Sequence, residues 1–134
     1  MFKSTFLYSF LLCLAIHSSH AQTGLVNVDT LLVGTWKGSS LCQIKNSPCH
    51  DETVVYHISK SKGVDSFYIN ANKIVNGVEE DMGIIPFSYN KKTNQLISTA
   101  YSGIWTLNIG TAILEGTLVV HGDLYRKIKI YKQY

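Results

Sequence analysis

Proline occurs only twice in this 134-residue chain, and charged residues make up just 16% of it. So little proline excludes a collagen-like or proline-rich chain. A formal charge of +3 beside an apolar fraction of 46% excludes an intrinsically disordered one. A membrane span is missing as well. It needs about 20 apolar residues, and the run from Phe6 to Ile16 is shorter and broken by Ser9. The chain carries no G-x-S-x-G, no P-loop, no H-E-x-x-H, no dinucleotide fingerprint and no N-x-S/T acceptor. It also lacks the clustered basic face with stacking aromatics that nucleic-acid binding requires. Lys60/Lys62, Lys91/Lys92 and Arg126/Lys127/Lys129/Lys132 lie apart, and the last group alternates sides of a strand. A second core does not fit in this length, which leaves one small globular domain.

The first 21 residues read as an address. Lys3 gives the positive start, Phe6–Ile16 the apolar stretch, and Ser19 and Ala21 the small residues of a cleavage site after Ala21. That is the plan of a secretory signal peptide. Cys13 sits inside the apolar run, which Leu14-Ala15-Ile16 continue, so it does not have the place of a lipoprotein cysteine. The expected arrangement is a signal peptide over 1–21 and a single exported domain over 22–134. That domain is expected to be periplasmic or secreted, monomeric and without a membrane span. Without Lys3, 11 basic residues face 9 acidic ones, a net charge of +2. Two cysteines remain, Cys42 and Cys49, and in an oxidising compartment an even pair reads as a disulfide. Its place is the loop holding Asn46-Ser47-Pro48.

Beyond the leader, apolar residues alternate with period two and helical periodicity is almost absent. Val54, Tyr56 and Ile58 share one face; so do Phe67, Ile69 and Ala71; Ile85, Phe87 and Tyr89; and Leu96, Ser98 and Ala100. Trp105, Leu107 and Ile109 follow, then Leu114, Gly116, Leu118 and Val120, then Leu124, Arg126, Ile128 and Ile130. Val33–Gly38 supplies a first strand, and Leu25–Leu32 a short helical turn before it. Lys62-Gly63, Asn76-Gly77, Ser102-Gly103 and His121-Gly122-Asp123 mark turns, with Asn76-Gly77 a strong hairpin signal. Short connections pair neighbours antiparallel. The expected fold is all-β: a meander of about eight strands closed into a barrel, because closure removes exposed edges. An open β-sandwich is the alternative.

Candidate chemistry is sparse. Cys49-His50-Asp51-Glu52, with His57 after it, is the densest polar cluster. A free thiolate there would resemble a metal ligand or a nucleophile beside a base. The spacing matches no strong ligand pattern, and a disulfide removes Cys49 from both roles. Glu79-Glu80-Asp81 lacks the spacing of a calcium loop and reads as a solvated turn. Neither a metal site, a cofactor nor a catalytic set is expected. Aromatic residues are the better lead. Tyr56, Phe67, Phe87 and Trp105 fall on the more apolar faces and are the candidate lining of a ligand cavity.

Gly34-Thr35-Trp36, following a short pre-strand segment, resembles the G-x-W that opens lipocalin and related calycin barrels. Leu-Val-Gly-Thr-Trp-Lys-Gly over 32–38 and Leu114-Glu115-Gly116-Thr117-Leu118 are similar to stretches of bacterial lipocalin-like domains. The resemblance implies that Gly34, Trp36 and Arg126 close the barrel, with the Arg126 guanidinium stacked on the Trp36 indole. The chain departs from the family in its short length, in having no long helix after the barrel, and in its local cysteine pair.

The expected function is an exported small barrel, not an enzyme, that binds a small hydrophobic molecule. The alternative is a protein-interaction module such as an inhibitor of a secreted enzyme, entering its target with the arm Gln22–Asp29. A weaker reading places an enzyme at His50, Asp51 and His57.

Overall fold

The computed structural model describes residues 26–134. The segment read as a signal peptide, with Cys13 in it, lies outside the described residues. Asn27 caps the first helix, its Oδ1 accepting from the Asp29 amide at 2.9 Å. Helix α1 (Val28–Leu32) leads into eight strands: β1 (Gly34–Cys42), β2 (Glu52–Lys60), β3 (Ser66–Val75), β4 (Val78–Asn90), β5 (Gln95–Ser98), β6 (Gly103–Ile109), β7 (Ile113–Val120) and β8 (Asp123–Lys132). Each pairs antiparallel with the next, and β8 pairs with β1, so the meander closes as a barrel. The barrel and the short helix before it agree with the sequence reading, and so do the inward faces except at Leu124, which a register shift beside Leu118–Val119 takes off the face of Arg126, Ile128 and Ile130 and leaves exposed. Among the described residues no helix is long and apolar enough to cross a membrane.

Turn chemistry explains the tight connections. Asn76 and Gly77 have φ of 50° and 78°, and His121 and Gly122 of 50° and 82°. Paired positive φ values match the right-handed twist of the strands that such turns join. Three elements differ from the sequence reading. β1 runs on through Ser39 and Ser40 to Cys42, because both β2 and β8 pair with those residues. Glu79-Glu80-Asp81 lies on β4 and not in a turn, paired with Ile74, Lys73 and Asn72. Ala100 is not on the strand of Leu96 and Ser98: it opens a 3-10 turn, Ala100–Ser102, in which Tyr101 has φ 58°.

The barrel has two unlike ends. α1 plugs one, where Leu32, Trp36, Phe67, Leu96, Leu107 and Ile130 are fully buried. The other end carries the disulfide loop and the turns at Asn76-Gly77, Ala100–Ser102 and His121-Gly122. The wall is also uneven. β4 pairs with β5 only over Ser88–Asn90, so its stretch from Val78 to Phe87 has no strand partner on that side. There the Tyr101 hydroxyl donates to the Ile84 carbonyl at 2.8 Å and stands in for a ladder bond.

Candidate binding site at the open end

The resemblance-based expectation for Arg126 is corrected by the structure. The cation at Trp36 is Lys132, whose Nζ lies 5.7 Å from the ring centroid. Trp36 and Lys132 are partners across β1 and β8, whereas Arg126 pairs with Cys42 at the other end of the barrel. All three point inward, since 126 and 132 share parity, but register separates them by six residues. Gly34 opens β1 at φ +139°, a left-handed conformation that suits glycine.

Arg126 instead helps build the open end. Its Nη1 donates to the Ser40 carbonyl at 3.2 Å, the Ser40 hydroxyl at 3.4 Å and the His50 carbonyl at 3.2 Å. It thereby ties β8 to β1 and to the loop closed by the Cys42–Cys49 disulfide. The Asp51 carboxylate accepts from the Cys42 amide at 2.8 Å and fixes the same loop from the opposite side. Glu52 bridges two cations, with Oε2 3.5 Å from Arg126 and Oε1 3.8 Å from Lys73.

These groups form the rim of a cavity of about 280 Å³. Ser40, Glu52, Lys73 and Arg126 supply its polar side. Val54, Tyr56, Ala71, Ile85, Trp105 and Leu118 supply the apolar walls, and Met82 and Tyr101 stand where the wall is thin beside β4. Two polar groups are buried in its walls. Trp105 Nε1 is buried and has no hydrogen-bond partner, an arrangement that native interiors rarely tolerate. Tyr56, deep in the wall, has its phenol pushed well above the usual tyrosine range, first by burial, with Arg126 pulling it down and Glu52 pushing it up.

Of the four rings read from sequence, Tyr56 and Trp105 line this cavity. Phe67 and Phe87 do not; they are paired across β3 and β4. The two phenylalanines border a wider, more open groove of about 1020 Å³ between β3, β4 and β5, whose edge is made by Asp65, Ser66, Asn90, Lys91 and Lys92. Phe87 meets Trp105 edge-on, with centroids 6.4 Å apart and planes at 73°, and so carries packing from one space to the other. Sequence reasoning missed Glu52, Lys73 and Ser40. Period two places them on inward faces, but polar residues there read as strand ends.

The cluster His50, Asp51 and His57 is not brought together. His50 and Asp51 belong to the disulfide loop, while His57 faces outward from β2, with Thr35 Oγ1 3.2 Å from its Nδ1. Its Nε2 meets Glu79 Oε1 at 2.5 Å, and Asn72 Nδ2 donates to that oxygen at 2.7 Å. Hydroxyl, imidazole and carboxylate in series are the parts of a nucleophile with its base. Here they lie on the outer wall, and neither Thr35, His57 nor Glu79 lines the cavity or the groove. Among the described residues no three His, Cys, Asp or Glu side chains gather as metal ligands. The arm proposed for an inhibitor is partly structured: Val28 and Asp29 belong to α1, and the Asp29 carboxylate lies 3.8 Å from Lys60.

Compared with known proteins, the chain matches no family model. No curated sequence is significantly similar to it.

Proposed function

We propose that this chain is an exported, lipocalin-like barrel that holds a small, largely apolar molecule in the open end of its lumen. The carrying observation is the cavity of about 280 Å³, walled by Tyr56, Trp105, Leu118 and Ile85 above a barrel end that α1 fills. A preformed concave space with an apolar lining and a few convergent polar groups is the usual form of a small-molecule site. The disulfide is compatible with an oxidising, exported location. The opening Gly34-Thr35-Trp36 and the closed meander support the lipocalin-like reading.

Titration with 3-phenylpropanol, a neutral probe of about the right size, tests the site. Amide and indole resonances of the protein are followed by NMR. Saturable shifts confined to cavity residues are expected, and Leu118→Trp, which fills the space, abolishes them. Shifts that spread without saturation, or that persist in Leu118→Trp, sink the reading. Mass spectrometry of protein exported by its own leader tests the rest: cleavage after Ala21 and the loss of two hydrogens to the disulfide.

The unpaired stretch of β4 favours a second reading, a protein-interaction module. Met82, Ile84, Tyr101 and Ile104 are exposed around that edge, and a strand edge is a template for another chain. Hydrogen exchange at Val78–Phe87 that is unchanged by every candidate partner would remove this reading.

A further inference from the structure

The residues at the rim of the lumen specify more than an apolar guest. Arg126, Lys73 and Glu52 are the charged side chains of the cavity, two cations against one acid. They are 13%, 20% and 17% exposed, so the surplus positive charge is poorly hydrated. Glu52 spans both cations and neutralises one of them. Every hydrogen bond of the Arg126 guanidinium runs through Nη1. Its Nε and Nη2 have no protein partner among the described residues. A guanidinium edge with free donors is the shape that a carboxylate meets with two parallel hydrogen bonds.

The Trp105 indole borders the same space, with its Nε1 packed into the wall against Gly103 and not open to a guest. Register puts indole and guanidinium at one level: Trp105 pairs with Leu118 across β6 and β7, and Leu118 pairs with Arg126 across β7 and β8. All three side chains line the same space. With strands about 4.8 Å apart, the apolar faces of Trp105 and Leu118 adjoin the guanidinium.

Resting on the reading of this cavity as a ligand site, we infer that its ligand is a small monocarboxylate with a compact apolar body, aromatic rather than long-chain. Its carboxylate lies over Leu118, taken by the free edge of Arg126, and its single charge cancels the surplus of the Arg126–Glu52–Lys73 set. Its body lies against Tyr56, Val54 and Ile85. Size sets the limit. A space of about 280 Å³ equals about nine waters at ~30 Å³ each, which suits a body of roughly ten non-hydrogen atoms and excludes an extended lipid chain.

The experiment compares 3-phenylpropionate with 3-phenylpropanol, which differ in the charged head and little in the body. Affinities at neutral pH come from calorimetry, and the two indole N–H resonances are followed by NMR. The acid is expected to bind at least tenfold tighter than the alcohol, and both shift the Trp105 indole resonance from the cavity wall. The Trp36 indole, already bonded to the Leu32 carbonyl at 2.8 Å, stays in place. Lys73→Gln removes the surplus charge and lowers the ratio of acid to alcohol affinity, both read in the variant, severalfold. Arg126→Gln abolishes the advantage; should that variant fail to fold, Lys73→Gln carries the test. Equal affinity for acid and alcohol, or an advantage untouched by Lys73→Gln, overturns the carboxylate and leaves the apolar site standing. Failure of both probes to bind overturns the site itself.

Discussion

Lys132 stands over Trp36, and both are bonded to the same short helix. The Lys132 Nζ donates to the carbonyls of Thr30 at 2.9 Å and Leu31 at 2.6 Å, and the Trp36 Nε1 to that of Leu32 at 2.8 Å. A helix leaves its last carbonyls unpartnered and its C-terminus partly negative. Here one indole and one ammonium, brought together by β1–β8 register, satisfy three carbonyls in a row. The cork of the barrel is thus fixed by the two strands that close it. Lys132→Met, which keeps the stem and removes the charge, is expected to lower stability by about 1 kcal/mol. Trp36→Phe leaves the Leu32 carbonyl unpartnered and is expected to cost about 1–3 kcal/mol from that group alone. Urea midpoints, read at unchanged slope, check both.

The disulfide closes a short loop, with seven residues of separation between Cys42 and Cys49. Replacing both by serine should cost about 2–3 kcal/mol through the freed chain entropy of the unfolded state. The same change loosens the His50 carbonyl that Arg126 holds. Faster hydrogen exchange is therefore expected over residues 43–51, with the α1 end unchanged. Equal loosening at both ends would mean that the loop does not act locally.

Tyr56 gives an alkaline signature. Its phenol is held above the usual range by burial, so between the unfolded and folded pKa values the folded protein keeps a proton that the unfolded chain has lost. Stability therefore falls as pH rises above about 10. Tyr56→Phe is expected to flatten that limb. Absorbance titration should show at least one tyrosine that ionises only when the fold is lost.

Glu79 gives the acid counterpart. Asn72 first, and His57 second, hold its carboxyl below the usual range by hydrogen bonds to the charged form. The stabilisation is present above the ordinary carboxylate pKa and is lost as pH falls through the lowered one. A carboxyl shift titrated by NMR is expected to have its midpoint below that of a model glutamate. Asn72→Ala should raise it toward the ordinary value. The group is exposed at the surface, so the effect on overall stability is small.

Much of the fold was legible because a strand's inward face repeats every second residue. Val54–Ile58, Phe67–Ala71 and Leu107 with Trp105 all follow that rule, and Asn76-Gly77 marked its hairpin. Parity carries no register, however. Residues 126, 128, 130 and 132 share a face, so sequence did not tell which of the two cations meets Trp36. It was equally silent on Trp105, Leu118 and Arg126 meeting at one level, which depends on pairings across three strands. Small polar residues hid the rest: Ser39 and Ser40 show no apolar alternation, yet Ser40 is buried under Arg126. Ala100 satisfied the alternation of Leu96 and Ser98, but the chain leaves the strand there for a turn with Tyr101 in the left-handed region.

The wall beside β4 predicts a local opening. Tyr101→Phe removes the hydrogen bond to the Ile84 carbonyl, at a cost of about 0.5–1.5 kcal/mol. Hydrogen exchange over Val78–Phe87 should quicken in that variant, with β1 and β8 unaffected. Unaltered exchange there would show that the tyrosine does not hold the wall.

α1 enters and β8 leaves at the same rim, where Lys132 touches Thr30 and Leu31. The lumen opens at the far rim, among the disulfide loop and the turns at Asn76-Gly77 and His121-Gly122. A surface or label joined through Tyr134, just after β8, therefore stands behind the barrel, and the mouth faces away from the tether. The turns around that mouth join strands, and two of them also hold the wall, through Tyr101 on the Ile84 carbonyl and through the His50 carbonyl on Arg126. A handle at Tyr134 and the cavity mouth thus lie at opposite poles of the barrel.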